Sequence, residues 1–269
     1  MVRHSAALLI LASTAFAGEG VVMVQKHENL RDNSTSTIRL YVESDKVAVN
    51  TDAGARRTTF AYLADEGLLR IIDHEKKTVR EMTEQEMEQM MAGVQEQMTK
   101  MRAQMEEQMK GMSPQQRAMM EKMLGSKMAQ LPGPPTGEKT EYRRAGGSAE
   151  ISGHACDWYE GYRGGQMAAK VCAADFSALD LRPSDFAVFR RLAEFLTKLA
   201  PQMADQMRFG TEDWRERGGF PGVPMQQQMF DDGKEIAQTT LESADRESID
   251  SVVYDAPAGY ERSRGLAPR

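Results

Sequence analysis

The sequence predicts an α+β fold: a curled antiparallel sheet, an open half-barrel, covered by one helix and interrupted by an inserted methionine-rich helical hairpin. Three observations predict it. Short runs of alternating polar and apolar residues, separated by short polar turns, fill the chain before residue 83 and after residue 138. Between them lies a block of Met, Gln, Glu and Lys with almost no β-branched residues. A single later stretch carries an apolar stripe at helical spacing, Phe189, Leu192, Leu196, Leu199 and Met203. The bulk numbers exclude other classes. With 269 residues, 41% hydrophobic, 28% charged, two cysteines and a net charge of -6, the chain is neither collagen-like, nor cysteine-stapled, nor a basic binder of nucleic acid.

Residues 1–17 read as an export leader, with Arg3 and His4 before the apolar run Ala6 to Ala12, and small residues at Ala15 and Ala17. Cleavage between Ala17 and Gly18 would leave one domain, 18–269. The apolar run is far shorter than the roughly 20 residues that span a bilayer, no cysteine stands at the cleavage point to take a lipid, and no later stretch is apolar enough to insert. The expected location is the periplasm or the extracellular medium, with no stable membrane insertion.

The elements follow in order. Val21 to Lys26 opens a meander that continues through Thr37–Val42, the turn Ser44-Asp45, Lys46–Val49, Thr58–Leu63, the turn Asp65-Glu66-Gly67, Leu68–Ile72, the charged turn 74–77 and Thr78–Arg80. Connections this short exclude parallel crossovers, so the pairing is antiparallel. Residues 83–130 hold most of the 20 methionines; Met87, Met91, Val94, Met98, Met101, Met105 and Met112 step along one helical face. Ser113-Pro114 restarts the chain into a second helix, and the Pro/Gly-rich residues 131–137 end the insertion as a linker. Strand resumes at Lys139–Arg144. Pro183 opens the covering helix, which is expected to reach Met207 with a kink at Pro201. Val223–Phe230, the turn 231–233, Glu235–Leu241 and Ser251–Tyr254 close the sheet, and Pro257 to Tyr260 forms a terminal turn. About ten antiparallel strands favour curling over a flat open sheet.

An oxidising compartment turns Cys156 and Cys172 into an expected disulfide. Their midpoint, position 164, falls in Arg163-Gly164-Gly165, between two extended runs. A hairpin centred there puts the cysteines directly opposite, with Trp158 on their face opposite Lys170, and Tyr159 pointing the other way beside Ala169. Closing the loop is worth about 3 kcal/mol in the chain-entropy model.

Catalytic motifs are missing from the sequence. His27, His74 and His154 have no metal-ligand spacing, no Gly-x-Ser-x-Gly or phosphate-cradling glycine loop is present, and the carboxylates single out no pair. No catalytic or cofactor-binding residue is assigned, no cofactor is expected, and an enzyme is not expected. The methionines allow one metal reading: thioethers suit Cu(I), and Met87, Met90, Met91, Met98 and Met101 include Met-x-x-Met spacing. The simpler account is that methionine fills an adaptable apolar seam. Exposed clusters could also act as an oxidant buffer.

Several short segments together resemble an exported bacterial family known as a domain of unknown function, DUF family 4412. They are Tyr41-Val42-x-x-Asp45-Lys46-Val47, Asp73 through Lys77-Thr78-Val79, Gly153-x-x-Cys156-x-x-Tyr159, Val171-Cys172-x-Ala174-Asp175, Asp232-Gly233-Lys234 and Pro257-x-Gly259-Tyr260. The family's outline also resembles the sheet-plus-helix fold of LolA-type periplasmic lipoprotein carriers, which implies a concave apolar surface for acyl chains. The expected function is therefore an exported soluble binding protein for a lipid or other apolar ligand. The alternatives are a Cu(I) or oxidant buffer, and an interaction module whose Met-rich hairpin binds a partner helix or a second copy.

Overall fold

A computed structural model describes residues 18–89, 92–93, 99–100, 140–197 and 219–265. Twelve strands among them form one sheet: β1 (Gly18–Asn29), β2 (Ser34–Val42), β3 (Lys46–Ala53), β4 (Arg56–Leu63), β5 (Leu68–Asp73), β6 (Thr78–Thr83), β7 (Glu141–Ile151), β8 (His154–Arg163), β9 (Gln166–Ala174), β10 (Val223–Asp231), β11 (Lys234–Ile249) and β12 (Glu261–Arg264). Their order is β12-β6-β5-β4-β3-β2-β1-β11-β10-β9-β8-β7, unclosed at both ends. Eleven consecutive strands pair antiparallel, as the short connections require; β12 alone runs parallel to its neighbour β6.

The sheet curls. Ser152, in the β7–β8 turn, donates its hydroxyl to the Leu241 carbonyl of β11 at 2.6 Å. Three strand spacings separate β8 from β11, which in a flat sheet amounts to about 14 Å. Only a sheet folded over on itself brings that turn onto β11. One core results, in which residues of β1 to β6 (Val21, Met23, Val42, Val47, Tyr62, Leu69, Met82) and of β8 to β10 (Cys156, Cys172, Val223, Met225) join a common buried cluster.

The element that fills this core is α1 (Ala187–Thr197), entered through a 3-10 turn at Pro183–Phe186. Proline suits the first position of that turn because it has no amide hydrogen to leave unsatisfied, and Asp185 reaches back to accept from the Arg182 amide at 2.8 Å. Val188, Phe189, Leu192, Phe195 and Leu196 are all buried against the sheet. Tyr62 of β4 meets Phe195 ring to ring at 5.1 Å and donates its hydroxyl to the Arg191 carbonyl. Arg191 in turn pairs with Asp65 in the β4–β5 turn at 2.7 Å. The expected continuation to Met207 and the kink at Pro201 lie outside the described residues.

The opposite face of β2 to β5 is covered from the C-terminal side. The expected strand Ser251–Tyr254 is a 3-10 turn, capped by the Asp250 carboxylate accepting from the Val252 amide. Its β-branched residues suggested extension, but burying Tyr254 against Val22, Ala48, Ala61 and Leu63 decides the matter. Arg70 of β5 then holds the next residues, donating to Glu81 at 2.6 Å and to the Tyr254 carbonyl at 3.1 Å, while Arg262 bridges Glu81 and Asp255. Burial alone would raise the Asp255 pKa; Arg262, the Ala256 amide and Arg70 more than offset it and hold the carboxyl below its ordinary range.

Three boundaries differ from expectation for local reasons. β7 runs on past Arg144 because Gly146 and Gly147, both at positive φ, form a bulge rather than an end. β11 continues through 242–249, polar apart from Ala244 and Ile249, whose ladder with β1 keeps them extended. β6 ends in a helix start: Thr83 Oγ1 accepts from the Glu86 amide and Glu86 accepts from the Thr83 amide, a reciprocal cap. Residues 84–89, 92–93 and 99–100 are helical. The rest of the expected hairpin 83–130, the linker 131–137 and the leader 1–17 lie outside the described residues. Among the described residues no helix is long and apolar enough to cross a membrane.

Candidate functional site

Across the helix-covered face of β1 to β6 the registers align side chains in three parallel rows. The first, Val21, Val42, Val47, Tyr62, Leu69 and Met82, is fully buried in the core that α1 joins. The second is Met23, Leu40, Val49, Phe60, Ile71 and Arg80. Met23 is buried, while Leu40, Val49, Phe60 and Ile71 are only half-buried. The third, Gln25, Ile38, Thr51, Thr58, Asp73 and Thr78, is polar apart from Ile38.

The gradient has a simple cause. An 11-residue helix is about 16 Å long, and α1 sits toward the β4–β5 turn, where Arg191 reaches Asp65. Phe195 meets Tyr62 of the first row, while the second row, two residues farther from that turn, is only half-buried apart from Met23. Four apolar side chains therefore form a shelf across β2 to β5, about 14 Å wide, with Arg80 at its β6 end and polar residues below it. No titratable group stands within the four. The shelf can offer dispersion contact and desolvation to an alkyl or aromatic surface, not acid–base chemistry.

Cys156 and Cys172 are bonded, with an S–S distance of 2.04 Å and Cα atoms 5.4 Å apart. Their placement corrects the expected register. The turn centres on Gly164 and Gly165, both at positive φ, and Ala168 is an extra residue in β9 between the pairs Gly161–Ala169 and Tyr162–Met167. Cys172 consequently lies opposite Trp158, and Cys156 sits diagonally from it, opposite Ala149 of β7. Tyr159 is opposite Val171 instead of beside Ala169, and Lys170 is opposite Glu160, from where its ammonium stacks over the Trp158 ring at 4.7 Å. A turn centre half a residue off and one bulge, neither visible in composition, account for the two-residue shift.

Met87 is fully buried in the main core; Met90, Met91, Met98 and Met101 lie outside the described residues. Among the described residues no three His, Cys, Asp or Glu side chains converge as a metal set. His27 bonds to Thr239 across the β1–β11 ladder at 2.9 Å, and His154 is half-buried at the start of β8.

His74 sits between Thr59, at 2.8 Å, and the Tyr260 hydroxyl, at 3.2 Å, and so ties the C-terminal segment to the sheet just before β12. Burial, then the nearby Arg57 guanidinium, depress its pKa below the ordinary 6.5, against an opposing pull from Asp73. The unfolded chain takes up this proton at higher pH than the folded one, so the contribution of His74 is complete above about pH 6.5 and lost as pH falls below it. Urea unfolding between pH 7.5 and pH 5 is expected to show a smaller loss of stability in His74→Gln than in the wild type; equal losses would refute the assignment.

No protein-family model matches this chain, so the likeness to DUF family 4412 rests on the short segments alone, and no curated protein matches it. Among solved structures it is similar to an uncharacterized conserved protein from Thermus thermophilus, at 9% identity over 93% of each chain with a TM-score of 0.44. It is similar also to PNGF-II, at 7% identity over 93% of this chain and 31% of that one, TM-score 0.39. A third is the MucA/MucB complex of Pseudomonas aeruginosa, at 10% identity over 91% of this chain and 58% of that one, TM-score 0.38.

Proposed function

We propose that this chain is an exported binding protein, not an enzyme, and that it holds the alkyl part of a lipid or similar apolar ligand along the shelf of Leu40, Val49, Phe60 and Ile71. The half-burial of those four in-register side chains carries the reading. A sheet face that is fully buried in one row and half-buried in the next gives an alkyl chain an apolar floor and a polar border. Export is supported by the leader-like residues 1–17 and by the disulfide, since such bonds persist in oxidising compartments. For Met87, full burial supports packing over a role as a thioether ligand.

The test is displacement of the fluorescent probe N-phenyl-1-naphthylamine by palmitate on the mature protein, with native mass spectrometry of protein purified gently from an oxidising compartment. The Val49→Gln, Ile71→Gln double variant is expected to weaken probe binding by about tenfold with an unchanged circular dichroism spectrum. Undiminished binding, or none in the wild type, would remove the shelf from consideration.

A further inference from the structure

Among the described residues, β11 has two neighbours along its first half and one along its second. β10 pairs with it from Lys234 to Thr240, the last pair being Gln226–Thr240; β10 then bulges between Pro224 and Gln226 and stays with β9 alone. β1 accompanies β11 all the way to Ile249. Among the described residues, 242–249 thus present a strand edge without a second strand beside it, inside the sheet order rather than at either end. In an antiparallel ladder every second residue of such a strand aims its N–H and C=O away from its one partner. The outward carbonyl of Leu241 is taken by the Ser152 hydroxyl, which closes one end of the gap. Beyond it, no described residue forms a hydrogen bond to the outward backbone of 242–249.

The two sides of this edge differ. On the helix side, Arg246 reaches across to the Asp180 carbonyl at 3.2 Å and pairs with Asp185. On the other side Ser243, Asp245 and Glu247 share a face, and Asp245, Glu247 and the bulge residue Glu242 are exposed. None of these three carboxylates has a cationic partner among the described residues. Two strands of like charge repel when laid side by side, so the edge does not suit a second copy of itself. The same charges suit a strand carrying cations at every second position.

We propose that residues 242–249 of β11 are a strand-addition site for an extended basic peptide of a partner protein, with Lys or Arg at i and i+2 beside Asp245 and Glu247. Backbone bonds to the outward amides and carbonyls would supply affinity, and the acidic face would supply selection. The 3-10 turn that starts at Ser251 ends the extended edge and limits the register to this stretch.

The experiment is fluorescence anisotropy of the full mature protein with a labelled octapeptide of alternating lysine and threonine at physiological salt. Two further peptides carry N-methyl groups on alternate residues, one for each possible bonding register, and a fourth replaces lysine by glutamate. Saturable binding of the lysine peptide is expected, weakened by about tenfold in Asp245→Lys, Glu247→Lys, lost with at least one N-methylated peptide, and undetectable with the glutamate peptide. The shelf variant Val49→Gln, Ile71→Gln should leave it unchanged. Failure to saturate overturns the proposal, as does binding that survives both N-methylated peptides, because that would be charge attraction without strand pairing. Insensitivity to the charge reversal overturns the assignment to this edge.

Discussion

Gly222→Ala is expected to destabilise the fold by about 3 kcal/mol or more. Gly222 has φ +85°, in the left-handed region that disfavours a side chain, and a Cβ built there would lie 2.0 Å from the Ala174 carbonyl oxygen and 2.9 Å from its carbon. Neither obstacle is a flexible side chain. Ala174 is the last residue of β9, 1% exposed and paired with Val223, so relief requires moving the β9–β10 ladder beside its bulge. Gly54→Ala is the control: its φ is +68° with nothing within 4 Å of the added carbon, so it should cost only the conformational penalty of about 1 kcal/mol. Urea denaturation of both variants checks the difference, and equal losses would show that the close approach at Ala174 relaxes at no cost.

Replacing both cysteines by alanine is the second. Cys156 and Cys172 are 16 positions apart, and releasing a loop of that size costs about 3 kcal/mol through the gained freedom of the unfolded chain. Both are buried in the main core, at 4% and 0% exposure, and lost packing adds to the entropic cost. Cys156→Ala, Cys172→Ala should therefore unfold at markedly lower urea than the oxidised wild type. Trp158, directly opposite Cys172, should report the transition locally. Coincident denaturation curves for wild type with and without reductant would mean that the bond constrains nothing the sheet does not already constrain.

Much of the sheet was legible because its strands alternate. Thr37 to Val42 and Lys46 to Val49 put Leu40, Val42, Val47 and Val49 on one face, as their registers confirm. What escaped reading was decided by partners distant in sequence. The Glu-Ser-Ala-Asp-Arg-Glu-Ser run after Leu241 is too polar to suggest a strand, and it is one because β1 lies beside it. Glu261 to Arg264 has no apolar residue at all, and lies beside β6 where contacts of Tyr254, Asp255 and Tyr260 hold the preceding segment on the sheet. The shelf was illegible for a related reason. Leu40, Val49, Phe60 and Ile71 are unremarkable members of four different strands until the registers align them in one half-buried row.

The place of β1 constrains how the chain can assemble. Its two neighbours are β2, which follows it at once, and β11, which lies near the other end of the sequence. A chain emerging from its N-terminus can form the meander β1 to β6 early, since each strand meets the next within a short turn. The second side of β1 must wait for residues 237–249 to arrive, and with it the core shared by the two halves of the sheet. Closing so long a loop before any compensating contact forms makes folding slow. Until then, one full edge of the N-terminal strand stays open to whatever extended chain is nearby, so this interval is the one in which the chain most needs to be kept from its own kind.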